Sequence, residues 1–539
     1  MNKISEFKDS SFIIHHSSFI IHCMSRIFLI SVGLLFSVIR LTAQGQQDSV
    51  NLTKQSSSVT TYIFTMEDVI QLAKEQSLQA IMARHYFRAS YFSFVDYKAN
   101  FLPKLTLTAN PVSWDHSIRT VTTLDDDGNM VIKETPANTF SSTATLSLSQ
   151  NIGLTGGSVS LGSDFQRRQN MLEKESERAT TFTTYPVRLS VYQPLNGYNQ
   201  FTWLKKIEPL RFEEAKQNYI VQMEYVSSTA VNRFFSLAIA QVILKMEEMN
   251  FENAQTLYQI SKGRHEAGNI AEDELLRMYL RLLQAEGDLN NARVNIESSE
   301  YQLRSFLGFK EYVKILLEID PEIPNLVVPH EQALDYAMSR NPSIISYNRR
   351  ILEDESKVAQ AKSQKGITLT MNAAFGMNKT GYRFEDAYST PFDNSENINV
   401  GIRVPILDWS QSRNRLRNAE SLLEATKLEM EQNETDFMQE IRMQVTWFNM
   451  QKNQLRIAAV RDTIAQQGYK IAYQRYLVGK VNVTDLNISD SEKNSAKRNF
   501  MNELQKYWNY YFLVRRLTLF DFLNNKPIEE DFNLIIGEL

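Results

Sequence analysis

Few residue groupings in this chain have the types and spacing of a catalytic or metal site. His265-Glu266 is followed by Ala267-Gly268-Asn269, so the two histidines that a zinc hydrolase places four residues apart on a helix are missing. There is no G-x-x-x-x-G-K loop to cradle phosphate and no G-x-S-x-G elbow to present a nucleophile. His85, His116 and His330 stand apart in sequence and read as exposed polar residues. Asp125-Asp126-Asp127-Gly128 offers carboxylates to a cation, yet it lacks the spacing and the downstream Glu of an EF-hand and reads as a surface turn. Cys23 is the only cysteine, which excludes disulfide frameworks and thiolate metal sites. These absences predict a protein that is not an enzyme and has no cofactor or metal.

What remains is the chemistry of charged and apolar surfaces on long elements. Ile398, Val400, Ile402, Val404 and Ile406 alternate with Asn397, Asn399, Gly401, Arg403 and Pro405. Ile367 to Met377 alternates in the same way, as do Val187, Leu189 and Val191 with Arg188, Ser190 and Tyr192. A period of two puts the apolar residues on one face and the polar ones, Arg188 and Arg403 included, on the other. Such strands fit a half-buried sheet on a soluble core. They fit equally a barrel with a lipid-facing exterior and a watery lumen.

The elements around the strands are helical and long. Glycine (19) and proline (13) make up about 6% of 539 residues, roughly half the usual share. Helical patterning runs over 66–101, 196–262, 271–306, 331–365, 410–478 and 484–520. The two longest stretches span roughly 100 Å each, and the shorter ones in each half would match that end to end. An apolar seam through Leu416, Ala419, Leu423, Met430, Phe437, Ile441, Val445, Phe448 and Leu455 suits near-parallel packing. The order also repeats. Pro194, Gln200, Leu244, Tyr258, Arg264 and Gly268 match Pro405, Gln411, Leu455, Tyr469, Arg475 and Gly479 at one constant offset, and Ala73 and Ser77 match Ala337 and Asn341 at another. The chain is a duplicated αββαα unit. One copy spans 61–320, with strands about 104–194, long helix 196–262, tip turn 263–270 and helix 271–306. The other spans 321–539, with strands 367–406, long helix 410–478, tip turn 479–483 and helix 484–520. Leu146, Leu148, Val159 and Leu161, around Thr155-Gly156-Gly157, point to four strands rather than two in the first copy.

Residues 1–23 carry a near-exact repeat, Ser10–His15 and Ser17–His22, ahead of Met24, and read as mistranslated upstream sequence. Residues 24–43 read as a secretory signal: Arg26, an apolar run from Ile27 to Ile39, then Leu41-Thr42-Ala43. A polar linker, 44–60, follows. Without residues 1–43, which hold four bases and two acids, the formal charge moves from −4 to −6, which excludes a strongly basic nucleic-acid binder. Export, with no separate globular core in the sequence, favours the barrel over the soluble sheet.

Several features together now resemble the TolC-like outer membrane efflux proteins, across essentially all of the chain after the signal. They are a helix opening with an alanine and then Asn341-Pro342, the strand exit Val404-Pro405-Ile406-Leu407-Asp408, and the turn Tyr476-Leu477-Val478-Gly479 followed by Asp485-Leu486. The resemblance implies a homotrimer. Its strands would close a β-barrel in outer-membrane lipid, continuous with a long periplasmic α-helical barrel. It implies two further partners, a periplasmic adaptor and an inner-membrane pump driven by protons or ATP, and a passive duct for small molecules. Type I protein secretion shares the architecture, and a periplasmic coiled-coil scaffold is the alternative from another class.

The resemblance also assigns roles to residues. The tips Gly268-Asn269-Ile270 and Gly479-Lys480-Val481 would dock the adaptor, although any helical hairpin uses a glycine to end its first helix. The family's acidic gate falls on Asp485, with Glu274 its counterpart in the first repeat. The second family acid falls on Ile488, so that ring is missing or moved to Asp490. Acidic residues are also favoured in any first helical turn by the helix dipole.

Overall fold

The computed structural model describes residues 61–124, 128–171, 179–310, 312–319 and 324–537. The upstream segment, the signal, the linker and Asp125–Asp127 lie outside the described residues. In chain order the principal elements are β1 (Thr61–Phe64), α1 (Met66–Gln76), α2 (Leu78–Ala99), β2 (Lys104–Leu124), β3 (Met130–Ile152), β4 (Gly157–Asn170), β5 (Thr180–Pro194), α3 (Gln200–Glu266), α4 (Glu272–Leu307) and β6 (Lys314–Leu317). The second half has α5 (His330–Arg340), α6 (Pro342–Lys365), β7 (Thr368–Gly381), β8 (Asp393–Arg403), α7 (Gln411–Leu477) and α8 (Val483–Thr518). A C-terminal segment adds β9 (Phe520–Asp521), β10 (Lys526–Pro527) and α9 (Phe532–Gly537).

The duplication is plain in the helices. α3 and α7 each have 67 residues, about 100 Å at 1.5 Å per residue. α4 and α8 each have 36, and α1 and α5 each have 11. The single helices expected over 66–101 and 331–365 are each divided, at Ser77 and Asn341, a pair related by the repeat. Both are buried N-caps. Ser77 Oγ accepts the Ala80 N–H at 3.2 Å, and Asn341 Oδ1 accepts that of Ser343 at 3.0 Å. Pro342 has no N–H to continue the ladder of α5, so the helix restarts there. The Asn341 amide also donates to Leu517 O at 2.9 Å, which ties the break to α8.

The long helices are held by packing along the seam. Met430, Phe437, Ile441, Val445, Phe448 and Leu455 of α7 are buried, whereas Leu416, Ala419 and Leu423, nearer the sheet, are half-buried. The core continues through Phe234, Phe235 and Leu237 of α3 and Tyr507 and Tyr511 of α8. Each such side chain contributes about 1.5–3 kcal/mol on burial. β1 and β6 pair in parallel beside this core, and the Gln241 amide bonds both the carbonyl of Ile315 (2.7 Å) and the N–H of Leu317 (3.2 Å).

The six remaining long strands form one antiparallel sheet in the order β2-β3-β4-β5-β7-β8. Four belong to the first repeat and two to the second. β8 ends at Arg403 rather than at Ile406, because Pro405 cannot donate to a ladder.

A buried ion cluster locks the C-terminal segment to the helices. Arg515 of α8 pairs with Glu224 of α3 at 2.8 Å and with Asp521 at 3.1 Å, and the Tyr511 hydroxyl donates to Asp521 at 2.6 Å. Burial alone would raise the Asp521 pKa; the bonds from Tyr511 and Asn524 and the charge of Arg515 instead hold it below the usual carboxylate range. A depressed folded pKa contributes stability that is present above the unfolded value, about 3.9, and lost as pH falls through the folded value. Asp521→Asn should therefore destabilise this segment by about 3–5 kcal/mol at pH 7, the scale of a broken buried pair. Hydrogen exchange over 511–523 checks this: variant and parent should differ strongly at neutral pH and converge as pH falls through the depressed folded pKa of Asp521.

Candidate functional site

The sheet has two chemically distinct faces, and its register aligns apolar residues from strand to strand, with Glu396 of β8 ending the Leu105 row. Leu105, Leu148, Leu161, Leu189 and Phe375 lie in one hydrogen-bonded row. Val159, Val191, Ala373 and Ile398 form a second row, Met371 faces Val400, and Leu369 faces Ile402. Most of these are open to the surroundings: Leu105 is 66% exposed, Ile398 65% and Ile402 66%. Among the described residues no α-helix lies over them. At the base of the sheet Leu154, Ile406 and Trp409 are almost fully exposed as well.

The opposite face is polar and concave. Ser160, Arg188, Ser190, Asn372 and Asn397 line a hollow of about 480 Å³. Arg188 sits beside Gly162 and Gly376 on its two neighbouring strands, and Asp164 lies 3.7 Å from its guanidinium. Arg403 pairs with Thr368 at the base of the same face. Both arginines thus stand on the polar side of the alternation.

At the far ends of α3 and α7, one helix length from the sheet, the two tips repeat the same turn. Gly268 (φ +73°) and Gly479 (φ +74°) adopt the left-handed conformation that glycine tolerates best. Asn269 N–H donates to Arg264 O at 2.8 Å and Lys480 N–H to Arg475 O at 2.9 Å, which closes each helix end. Gly263 lies inside α3 and not in the turn, since the helix runs on to Glu266. Gly268, Asn269, Gly479 and Lys480 are exposed; Ile270 and Val481 are half-buried.

The tips are fastened to each other within the protomer. Arg264 reaches from the first tip to the carbonyl of Leu477 (2.9 Å), capping α7, with its guanidinium over the Tyr476 ring. Ser261 and Tyr476 share a hydrogen bond of 3.1 Å, and Leu257, Met278, Tyr476, Val483 and Leu486 form a small core beneath them. The matched pairs Arg264/Arg475 and Tyr258/Tyr469 stood out in the sequence, but their use is asymmetric. Arg264 braces the two tips, whereas Arg475 is exposed.

The acidic residues separate into two environments. Glu274 and Asp485 are each the third residue of their helices, α4 and α8, just past the tips. Asp485 is exposed and Glu274 half-buried. Asp490 is different, and its surroundings speak against the displaced gate ring expected of it. It is buried, accepting from Arg281 at 2.7 Å and from Lys493 at 2.9 Å. A carboxylate neutralised by two cations inside its own protomer supplies no free charge to a ring. The cluster extends from Lys493 to Asn250 (3.1 Å), onward to Glu247 (2.8 Å) and to Arg498, so it joins α3, α4 and α8. Lys493 also lies 4.0 Å over the ring of Tyr469, whose hydroxyl is pushed up to about 12 by burial and then by Asp490. Arg281 carried no sequence signal, because its partner lies on another helix, whereas Lys493 stands three residues from Asp490 on α8. Ile488 is exposed one turn beyond Asp485.

Comparison with known proteins places this geometry. Residues 333–508 match the family model described as outer membrane efflux protein. A sequence search of curated proteins gives no match. Among solved structures, the chain is similar to the Campylobacter jejuni CmeC outer membrane channel, with a TM-score of 0.61 at 15% identity, covering 93% of this chain and 97% of that one. It is similar to the outer membrane protein VceC of Vibrio cholerae (0.58, 12%, covering 86% and 97%) and to the open Neisseria gonorrhoeae MtrE outer membrane channel (0.57, 12%, covering 90% and 99%). Residues 333–508 thus match the outer membrane efflux protein model, and the fold around them is shared along its length with that of the CmeC channel.

Proposed function

We propose that this chain is the outer-membrane exit duct of a tripartite efflux system. As a homotrimer it would conduct small molecules passively, received from an inner-membrane transporter through a periplasmic adaptor. The observation that carries the reading is the sheet: its apolar face is uncovered and its polar face is concave, as a lipid-embedded wall around water requires. A periplasmic coiled-coil scaffold would leave that apolar face in water. Sidedness is directly testable. Val400→Arg should cost about 2–4 kcal/mol near mid-membrane and deplete assembled trimer, while Asn399→Arg on the polar face should be tolerated. Equal loss for both, read as trimer on semi-native gels of the outer-membrane fraction, would reject this orientation.

Asp485 and Glu274 form the gate in this proposal. Threefold symmetry makes them a ring of carboxylates at the closed mouth, and rings of one charge set ion selectivity. Asp485→Asn with Glu274→Gln should lower cation preference and weaken block by multivalent cations in planar-bilayer recordings. As plain helix-start acids they would contribute about 0.3–1 kcal/mol each to stability, with current unchanged.

The adaptor docks, in the same reading, on Gly268-Asn269-Ile270 and Gly479-Lys480-Val481. A Cβ at either glycine would meet no atom within 4 Å, so the penalty of a small side chain is that of the left-handed backbone alone, about 1–2 kcal/mol. Gly479→Ala should therefore retain export. Gly479→Trp, projecting a ring from the tip, should abolish it with trimer and membrane insertion intact. Normal drug-efflux complementation by both Gly479→Trp and Gly268→Trp would show that the tips are not the contact.

A further inference from the structure

The first repeat has two more long strands than the second, and the structure shows how they are built in. The turn between β3 and β4 sits at the base of the sheet, wedged between the end of α2 and the start of α3. On one side the Asn151 amide donates to Asn100 O (2.9 Å) and that of Gln150 to Phe101 O (3.3 Å). On the other, the Asn199 amide donates to Gly153 O (3.2 Å) and Leu154 O (3.1 Å), and that of Gln193 to Thr155 O (3.1 Å). Asn199 is also the N-cap of α3, so one side chain fixes both the helix start and the turn. A hairpin that merely projected from a four-stranded wall would not be bonded to both strand–helix junctions. Its apolar residues, Leu146, Leu148, Val159 and Leu161, also continue the outward face of the other strands without interruption.

The edges of the sheet are complementary. Among the described residues β2 pairs only with β3 and β8 only with β7, which leaves one open edge on each. β2 leaves the base and β8 returns to it, so β8 of one copy meets β2 of the next in the antiparallel sense. The stagger needed for closure is present too. The hydrogen-bonded row from Leu105 arrives at Glu396 on β8, and β8 runs seven residues further, to Arg403, before the base is reached. β2 by contrast begins one residue before Leu105. Each protomer thus descends along its strands by the same step, which a tilted barrel accumulates around its circumference.

We propose that three copies close a barrel of eighteen strands, six from each, with the edge of β8 joined to β2 of the neighbouring copy and outward Ile402 near outward Leu105. This rests on the exit-duct reading above and extends it. Barrels of about 16–18 strands leave an open aqueous channel. The membrane segment would then not restrict cargo by size, and the narrowest point would lie at the helical tips.

Cysteine cross-linking tests the edge. In a Cys23→Ser background, Leu105→Cys is combined in turn with Ile402→Cys, Val400→Cys or Ile398→Cys, and the outer-membrane trimer is oxidised. One of these pairs should give covalent dimer and trimer on denaturing gels. Val159→Cys with Ile402→Cys serves as the competing arrangement, a twelve-stranded barrel in which β4 would be the outer edge and β3 would leave it. Cross-linking of that pair, or of no pair in an assembled trimer, overturns the proposal and leaves the duct reading standing. Absence of a membrane trimer of the unmodified chain overturns the duct reading itself. If the cysteine variants fail to assemble, cryo-electron microscopy of the unmodified trimer decides by strand count: eighteen is expected, and twelve overturns it.

Discussion

One constraint governs this molecule: a six-stranded sheet whose apolar side no other described element covers. Leu105, Leu107, Ile398, Val400 and Ile402 are all more than half exposed, and at about 25 cal/mol per Å² of apolar surface that face cannot stay in water. A soluble sheet of this size buries such a face under helices. Here the helices leave the sheet end-on and run away from it, so they cannot turn back to cover it. Lipid, as in the proposed duct, would meet the requirement without any specific contact. The polar concave side follows from the same alternation, which is why Arg188 and Arg403 stand there at little cost.

The helical part answers a different demand, which is length. Two 67-residue helices cannot be stabilised by local propensity or by a single core. They are paired along the seam with shorter helices that end in buried caps at Ser77 and Asn341. Charged groups that enter this packing are paired: Arg515 with Glu224 and Asp521, and Asp490 with Arg281 and Lys493 nearer the tips. The second cluster binds α8 to α3 and α4 just above the tip, so any movement of α8 relative to α4 must break charge-assisted bonds.

Duplication supplies symmetry of shape without symmetry of chemistry. The tips share a glycine turn, yet only Arg264 reaches across to cap the other helix. The strand regions share a base, yet the first repeat carries an added hairpin stapled by Asn151, Gln150, Asn199 and Gln193. In the proposed trimer such asymmetry would present six near-equivalent helical tips to a partner while the barrel wall follows a different count.

Much of this was determined by sequence alone, because the signals are local and periodic. Strand faces follow from a period of two, helix lengths from the scarcity of glycine and proline, and the duplication from constant offsets between residues such as Gly268 and Gly479. Four strands in the first repeat were legible in Leu146, Leu148, Val159 and Leu161 around a glycine turn. Tertiary structure alone decided the rest. Asp490 reads in sequence as the place to which a second acidic ring could have moved; only the approach of Arg281 from α4 reveals it as an internally paired carboxylate. The division at Ser77 was hidden because the helical period resumes at once beyond a single capping residue. The order β2-β3-β4-β5-β7-β8 and its stagger depend on hydrogen bonds between strands up to two hundred residues apart, such as Thr183 with Thr380, and no local pattern encodes a pairing at that distance.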